Sequence, residues 1–187
     1  MPKSKDDSRR KYIDEPLART AIKEQLATRF NFIEEVEAVD PDGNTFWIDA
    51  VSCCGERGWT LGWEFKRSPL FKSEFADALR QAIRYRLSKI VDQRLPEFKD
   101  RRLPAIAMFP DWLGEHDEDG ISYAREAEGM RLLAAQFRVG AMREKANDQL
   151  RFIMGQNAIW DSTTGWTKNA EGVLFGKRGL GAMRKRD

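Results

Sequence analysis

The stretch that decides the fold is TFWIDAVSCCGERGWTLGWEFKRS, residues 45–68. It holds two runs of aromatic and β-branched residues separated by a glycine-bounded turn at 55–58. Runs of this kind predict two antiparallel strands joined as a hairpin. A similar run at 32–39 precedes them across residues 40–44, where Pro, Asp and Gly give a strong turn signal. The sequence therefore predicts an antiparallel meander of three strands.

Helical periodicity is found on both sides of this meander. Residues 14–29 and 71–91 repeat apolar residues at helical spacing, and the second is the longer helix. The order of elements predicts an α/β fold, a central mixed β-sheet flanked by helices. The remaining predicted elements are a buried strand at 104–110, a helix at 122–137, and strands at 138–143 and 149–160. The apolar residues predicted to face the core are Leu17, Ala21, Ile22 and Leu26 on the first helix and Leu132, Leu133 and Phe137 on the helix at 122–137.

Length and composition favour one domain. The chain has 187 residues, of which 41% are hydrophobic and 33% charged, enough for both a core and a polar surface. We expect a disordered basic arm at 1–12, a single domain at 13–176 and a basic tail at 177–187. Basic ends on a chain of net charge +2 are compatible with phosphate binding but also with solvated termini. No signal sequence or membrane-length apolar run is found, which favours the cytoplasm.

The residue types exclude a zinc site and favour a hard cation. The two cysteines are adjacent in one strand, and the chain has one histidine, His116, in an acidic loop. Neighbouring strand residues point to opposite faces, so a disulfide between them would be strained. A bound metal would therefore be held by oxygen, and the carboxylates are the residues to search.

Asp49, Glu64 and Lys66 are the candidate catalytic residues. Glu64 and Lys66 are two apart in one strand and so share a face. If the 55–58 loop closes symmetrically, Cys54 pairs with Trp59, and Asp49 then lies opposite Glu64. Two carboxylates so placed repel each other unless a cation lies between them. They would hold Mg²⁺ or Mn²⁺, and Lys66 would orient or deprotonate an attacking water or stabilise the transition state.

A charged, solvent-facing stripe is the alternative explanation for these three residues, because such spacings arise by chance. The runs FWIDAV and LGWEFK should be buried, however, and buried charges are costly unless they are paired or bind metal. The backbone carbonyl of Phe65 is a further candidate ligand. Glu35 is the candidate additional carboxylate, because the 40–44 turn would pair it with Asp49; Glu24 and Glu37 remain alternatives.

The stretch 46–85 resembles the PD-(D/E)XK nuclease superfamily. The resemblance rests on Ile48-Asp49, on Glu64-Phe65-Lys66, and on a long helix carrying Gln81-Ala82-Ile83-Arg84-Tyr85. This last element is similar to the Gln-x-x-x-Tyr element of the lambda-exonuclease-like and RecB-like branches. The resemblance implies a restriction-endonuclease-like αβββαβ core and a metal held by the acidic pair. The family commonly has Pro where this chain has Ile48.

Further roles on the long helix point to nucleic acid. The resemblance implies that Gln81 and Tyr85 shape the site or contact DNA. Arg80 and Arg84 suit phosphate contacts, although a solvated helix face explains them equally well. The six tryptophans are mostly core residues by expectation, with base stacking by Trp160 and Trp166 as an alternative.

These observations predict an Mg²⁺- or Mn²⁺-dependent deoxyribonuclease, either an exonuclease or a structure-specific endonuclease. We expect it to act in recombination, repair or mobile-element or phage DNA metabolism. DNA is the expected partner, RNA is not excluded, no membrane is expected, and the sequence leaves room for a homo-oligomer. A catalytically silent nuclease-fold module that binds DNA or protein is the alternative.

Overall fold

The computed structural model describes residues 14–54, 59–67, 72–109, 121–145 and 149–175. These residues form one nine-stranded sheet and four α-helices. The helices are α1 (Glu15–Leu26), α2 (Lys72–Leu87), α3 (Ile121–Gln136) and α4 (Ala170–Phe175). The strands are β1 (Phe30–Val39), β2 (Thr45–Cys54), β3 (Trp59–Phe65), β4 (Lys89–Ile90), β5 (Ala105–Phe109), β6 (Val139–Glu144), β7 (Leu150–Met154), β8 (Asn157–Asp161) and β9 (Gly165–Trp166), with a 3-10 turn at Pro96–Phe98.

The sheet is mixed, which confirms the predicted α/β class. Its strand order is β4-β1-β2-β3-β5-β6-β7-β8-β9. The pairs β3–β5 and β5–β6 are parallel, and the other neighbours are antiparallel. Both parallel connections contain a helix, as such crossovers usually do. None of the described helices is long and apolar enough to span a membrane.

The predicted meander is present with the predicted register. Cys54 pairs with Trp59, as symmetric closure of the 55–58 loop requires. The turn between β1 and β2 is built by Asp40, whose Oδ1 accepts hydrogen bonds from the backbone amides of Asp42 and Asn44. Gly43 takes the left-handed conformation, with φ +86°, which glycine adopts without steric cost. Turn chemistry readable in the sequence therefore sets the pairing of the first two strands.

Helices cover the two faces of the sheet. Helix α1 begins at the N-cap Asp14, whose Oδ1 accepts from the Leu17 amide at 2.8 Å. It buries one stripe against β3, whereas α2 buries its stripe against the opposite face. The buried residues on the α1 side include Ala18, Ile22, Leu26, Ala50, Leu61, Trp63 and Phe65. Those on the α2 side include Ile48, Val51, Phe75, Ala78, Leu79, Ala82 and Tyr85.

Four predicted inward residues are exposed. Leu17 on α1 and Leu132, Leu133 and Phe137 at the end of α3 all keep a large accessible fraction, so these predictions were wrong. Helix α3 buries Ala134 instead, with Met130 packed partly behind it. Helix α3 contacts β6 and β7, and Leu132, Leu133 and Phe137 lie outside the buried part of this contact.

Several element boundaries also differ from prediction. Strand β3 ends at Phe65, and α2 ends at Leu87, because Lys89 and Ile90 leave the helix to pair with β1 as β4. The predicted strand at 149–160 is a hairpin, β7–β8, turned at Gly155 with φ +58°. The predicted basic arm, the basic tail and the loop with His116 lie outside the described residues.

Candidate active site

Strand β2 changes face at Asp49. Ile48 packs in the α2-side core and Ala50 in the α1-side core. In a regular strand, residues two apart share a face, so the backbone turns over between these two residues. The partner strand is irregular at the same level: Glu34 pairs with Ala50 and Val36 with Ile48, while Glu35 between them has φ +49°. Asp49 thus lies where both strands leave regular geometry.

Arg94 holds this irregularity in place. Its Nη2 donates to the backbone oxygens of Glu34 at 3.0 Å and Glu35 at 2.7 Å. The same guanidinium pairs with Asp92, whose Oδ2 lies 2.7 Å from it. A left-handed conformation costs a non-glycine residue roughly 1–2 kcal/mol. These contacts to the flanking carbonyls stabilise the strained segment opposite Asp49.

The Asp49 carboxylate is oriented by two donors. Its Oδ2 accepts from the backbone amide of Phe65 at 2.8 Å, and its Oδ1 accepts from the Tyr85 hydroxyl at 3.1 Å. The β2–β3 pairing stops at Ala50 and Trp63, and the side chain of Asp49 accepts from the Phe65 amide, two residues further along β3. The predicted direct pairing of Asp49 with Glu64 is therefore replaced by a side-chain contact. The two carboxylates are still close enough for the Asp49 charge to raise the pKa of Glu64.

Glu64 is a fully buried acid, with 0% of its surface exposed. Burial raises its pKa from 4.5 to about 8, the Asp49 charge adds to the increase, and the attraction of Lys66 opposes it. Lys66 Nζ lies 2.5 Å from Oε1 as an ion pair. Within the described ranges, however, neither carboxylate oxygen has a partner in hydrogen-bond geometry. Such under-satisfied oxygens are what a bound cation would use.

Lys66 stands between two acids. Besides Glu64, its Nζ lies 3.8 Å from Oε2 of Glu15, in the first turn of α1. Burial is the largest single influence and acts to lower the pKa of Lys66, but the charge and hydrogen bond of Glu64, together with the charges of Glu15 and Asp49, outweigh it and the pKa is raised. Lys66 is therefore an ammonium in this arrangement.

The predicted Gln-x-x-x-Tyr pair forms a hydrogen-bonded relay. Gln81 Nε2 donates to the Tyr85 hydroxyl at 2.7 Å, and that hydroxyl donates to Asp49. The Tyr85 side chain is buried and stacks on Phe46, which fits the expected role of shaping the site, while a contact with DNA stays a prediction. Burial raises the pKa of Tyr85, with Glu64 and Asp49 adding to the effect, and the hydroxyl keeps its proton. Its role is to position Asp49.

The two predicted phosphate-binding arginines, Arg80 and Arg84, differ in the contacts that their guanidinium groups make. The Arg84 guanidinium is committed elsewhere: it lies 2.7 Å from Asp40 Oδ2 and 4.2 Å from the Phe46 ring centroid. These contacts tie α2 to the β1–β2 turn, and the phosphate contact of Arg84 stays a prediction. Arg80 is exposed and makes only a 3.5 Å contact with Asp77, so its DNA contact stays a prediction.

A cleft of about 350 Å³ opens beside Asp49. It is lined by Arg19, Glu35, Trp47, Ile48 and Asp49. Arg19, on α1, pairs with Glu15 at 3.2 Å and lies 5.4 Å from the Phe65 ring centroid. Sequence reasoning missed both of these α1 residues. Their i, i+4 spacing is visible in the sequence, but which side of the sheet α1 packs on is not.

Among the described residues, no additional side chain joins Asp49 and Glu64 to complete a metal-binding group, since no three His, Cys, Asp or Glu side chains converge as a metal group would. Glu35 reaches the cleft but is solvent-exposed, as are the alternatives Glu24 and Glu37. Phe65 donates its amide to Asp49 and buries its ring against Trp63. Its carbonyl as a ligand stays a prediction.

Trp160 and Trp166, the tryptophans named as alternative base-stacking residues, are buried in the α1-side core. The alternative prediction that either tryptophan stacks on a nucleobase is therefore wrong, because neither ring face is accessible. Among the tryptophans in the described ranges, Trp47 is instead exposed, with 61% of its surface accessible.

Comparisons with protein-family models, with curated proteins and with solved structures found no significant match to this chain. The geometry of Asp49, Glu64, Lys66 and Tyr85 therefore has to carry the functional argument.

Proposed function

We propose that this protein is a metal-dependent nuclease that hydrolyses phosphodiester bonds in DNA. The observation that carries the proposal is the Glu64 carboxylate, which is fully buried beside a second carboxylate and is paired with Lys66 through Oε1, while Oε2 has no hydrogen-bond partner among the described residues. Burial of such a group opposes folding unless a cation or a donor satisfies it. A divalent cation between Asp49 and Glu64 would neutralise both carboxylates.

The residues present fit Mg²⁺ or Mn²⁺. The donors are carboxylate oxygens, the ligands that hard cations prefer, and Mg²⁺ is commonly held by one or two carboxylates with waters completing its shell. Each Asp49 oxygen receives one hydrogen bond and retains lone-pair capacity for a cation. When bound, the ion would lower the pKa of a coordinated water and stabilise charge on the phosphoryl oxygens.

The chain's own residues supply orientation and charge. Tyr85 and the Phe65 amide fix the direction of the Asp49 carboxylate, so it does not have to reorganise during the reaction. Lys66, whose pKa is raised by Glu64, acts as a positive charge beside the scissile phosphate rather than as a proton acceptor. Of the roles expected for Lys66, this favours orienting the attacking water and stabilising the charge that develops on the phosphate.

The order of elements supports the same proposal. Helix α1, the meander β1–β3, helix α2 and strand β5 occur in this order, with the short strand β4 between α2 and β5, and this order is compatible with the αβββαβ core implied by the resemblance. In the sheet, β1, β2, β3 and β5 are consecutive neighbours, with β5 parallel to β3. The candidate residues come from the centre of this sheet and from α2.

A catalytically silent nucleic-acid-binding module is the second candidate. It is favoured by one observation, the lack of a third converging acidic, histidine or cysteine side chain in the part of the chain that the structure describes. In that case Glu64 and Lys66 would serve only as an internal ion pair.

A cleavage assay separates these functions. Linear, circular and branched DNA, single-stranded DNA and RNA are incubated with the protein in Mg²⁺ or in EDTA. We expect Mg²⁺-dependent cleavage of DNA that falls about 10²- to 10³-fold in Lys66→Ala, the range typical of losing one group that stabilises transition-state charge. Lys23→Ala is the matched control, because Lys23 makes an ion pair of the same 2.5 Å length with Glu34 on the surface. Binding without cleavage in either Mg²⁺ or Mn²⁺ would contradict the proposal and favour the silent module.

A further inference from the structure

Trp47 is a solvent-exposed tryptophan beside the candidate active site. Its 61% exposure exceeds that of every other exposed large hydrophobic residue in the described ranges. It lines the same cleft as Asp49, two residues further along β2. Phe46 and Ile48, its chain neighbours, are buried under α2, so the indole points off the opposite face. The strand thus places a bare aromatic ring next to the candidate catalytic carboxylate.

We infer that Trp47 is a stacking platform for an unpaired nucleobase next to the scissile phosphate. The inference rests on the proposed function and specifies its substrate class: single-stranded DNA, or duplex DNA with an unpaired end. In an intact duplex each base is paired and stacked on its neighbours, so a side chain cannot lie on its face. An unpaired base offers that face to an aromatic ring regardless of its identity.

The charges around the cleft orient the nucleotide. Glu35 lines the cleft and Glu37 pairs with Trp47 across the β1–β2 ladder, and both are exposed. These carboxylates repel a phosphate, so the Trp47 side of the cleft suits an uncharged base. Arg19, from α1, is the cation among the residues that line the cleft. The base therefore lies over Trp47, and its phosphate lies toward Arg19 and the Asp49–Glu64 pair.

The dimensions of the cleft agree with this arrangement. A volume of about 350 Å³ is at the lower end of the range of about 300–1,000 Å³ typical of small-ligand sites. Such a space suits one nucleotide rather than a double helix. Trp47 can therefore select substrate without contacting the reacting atoms, and it is a specificity-determining residue.

Binding by substituted proteins tests the inference. Fluorescein-labelled single-stranded oligothymidylate and a blunt duplex of equal length are titrated with the full chain in Mg²⁺, in a Lys66→Ala background that prevents turnover. We expect Trp47→Ala to weaken single-strand binding about 5- to 150-fold, the loss associated with one base–aromatic stack. Trp47→Phe should recover most of the affinity, and duplex binding should change less than about two-fold.

Leu133→Ala is the matched control, because Leu133 is 49% exposed on α3 and does not line the cleft. Equal unfolding midpoints for the variants show that the effect is local. Unchanged single-strand affinity in Trp47→Ala would overturn the inference, as would an equal loss on single-stranded and duplex DNA.

The outcome for Trp47 is separable from that of the nuclease proposal. Mg²⁺-dependent cleavage by the unsubstituted protein, with the same single-strand preference in Trp47→Ala, would overturn the stacking role alone. Trp47-dependent single-strand binding without any cleavage would support the platform and overturn the nuclease. Absence of both binding and cleavage would overturn both.

Discussion

Glu64→Gln should stabilise the protein and abolish its activity. The rise in the pKa of Glu64 from 4.5 to about 8 corresponds to about 5 kcal/mol by which burial disfavours the ionised form. Glutamine has the same shape and no charge, so it removes this cost. It also leaves Lys66 without its 2.5 Å partner, although Glu15 at 3.8 Å remains. We expect a net gain of about 2–4 kcal/mol above pH 8, less than the full amount because a buried amide without hydrogen-bond partners itself costs about 1–3 kcal/mol.

The sign of the pH dependence follows from the raised pKa. Between pH 4.5 and about 8 the folded state keeps a proton on Glu64 that the unfolded state has lost. The contribution of this group to stability is therefore complete below pH 4.5 and is lost as the pH rises through about 8. Glu64→Gln removes this loss, so its advantage should be about 2 kcal/mol larger at pH 8.5 than at pH 6.5.

Urea unfolding in EDTA, followed by tryptophan fluorescence at both pH values, measures the difference. Glu34→Gln is the matched control: Glu34 has a lysine partner at the same 2.5 Å, but the pair is on the surface. Exposed pairs contribute less than about 1 kcal/mol, so this control should change little at either pH. A Glu64→Gln protein that is less stable than the unsubstituted one at pH 8.5 would refute the reasoning. Glu64 would then be a structural ion-pair partner.

Three further predictions concern the relay, the metal and the fold. Tyr85→Phe removes a hydrogen bond to the charged Asp49. It should lower the rate of single-turnover cleavage about 10- to 150-fold and leave DNA affinity unchanged. An equal loss of DNA affinity would speak against a positioning role for Tyr85. Because protons compete for Glu64 below pH 8, Mg²⁺ should raise the unfolding temperature more at pH 8.5 than at pH 6.5, and the reverse order in calorimetry would contradict this. Gly140→Ala would place a Cβ 2.5 Å from a backbone oxygen and should destabilise the protein by about 1–3 kcal/mol. Gly129→Ala, in open space on α3, should stabilise the protein by about 0.5–1 kcal/mol. Equal effects of the two substitutions in urea unfolding would contradict this prediction.

Local signals made the centre of the fold predictable. The turn around Asp40 and Gly43 and the closure that pairs Cys54 with Trp59 fixed the register of three strands from sequence alone. Strand β4 was not predictable, because two residues after a helix carry no periodicity. The inward face of α3 was missed because burial there depends on where the helix rests on the sheet, and Leu132 and Leu133 lie outside that contact.

The candidate site was predictable where it depends on register and helical spacing. Glu64 and Lys66 share a face, and Gln81 and Tyr85 share one turn of α2, as their spacing requires. The approach of Glu15 was not predictable, because the packing of α1 against β3 is a tertiary contact. The commitment of Arg84 to Asp40 was equally hidden, since these residues are 44 positions apart in the chain.

Anomalous diffraction from crystals soaked in Mn²⁺ tests the central claim most directly. We expect one strong peak bonded to a carboxylate oxygen of Asp49 and one of Glu64, at about 2.0–2.2 Å, close to the Mg²⁺–oxygen bond length. The peak should be lost in Glu64→Gln crystals of the same form. A Mn²⁺-soaked structure with no peak between these carboxylates, and with Glu64 still paired only to Lys66, would contradict the assignment of a catalytic metal site.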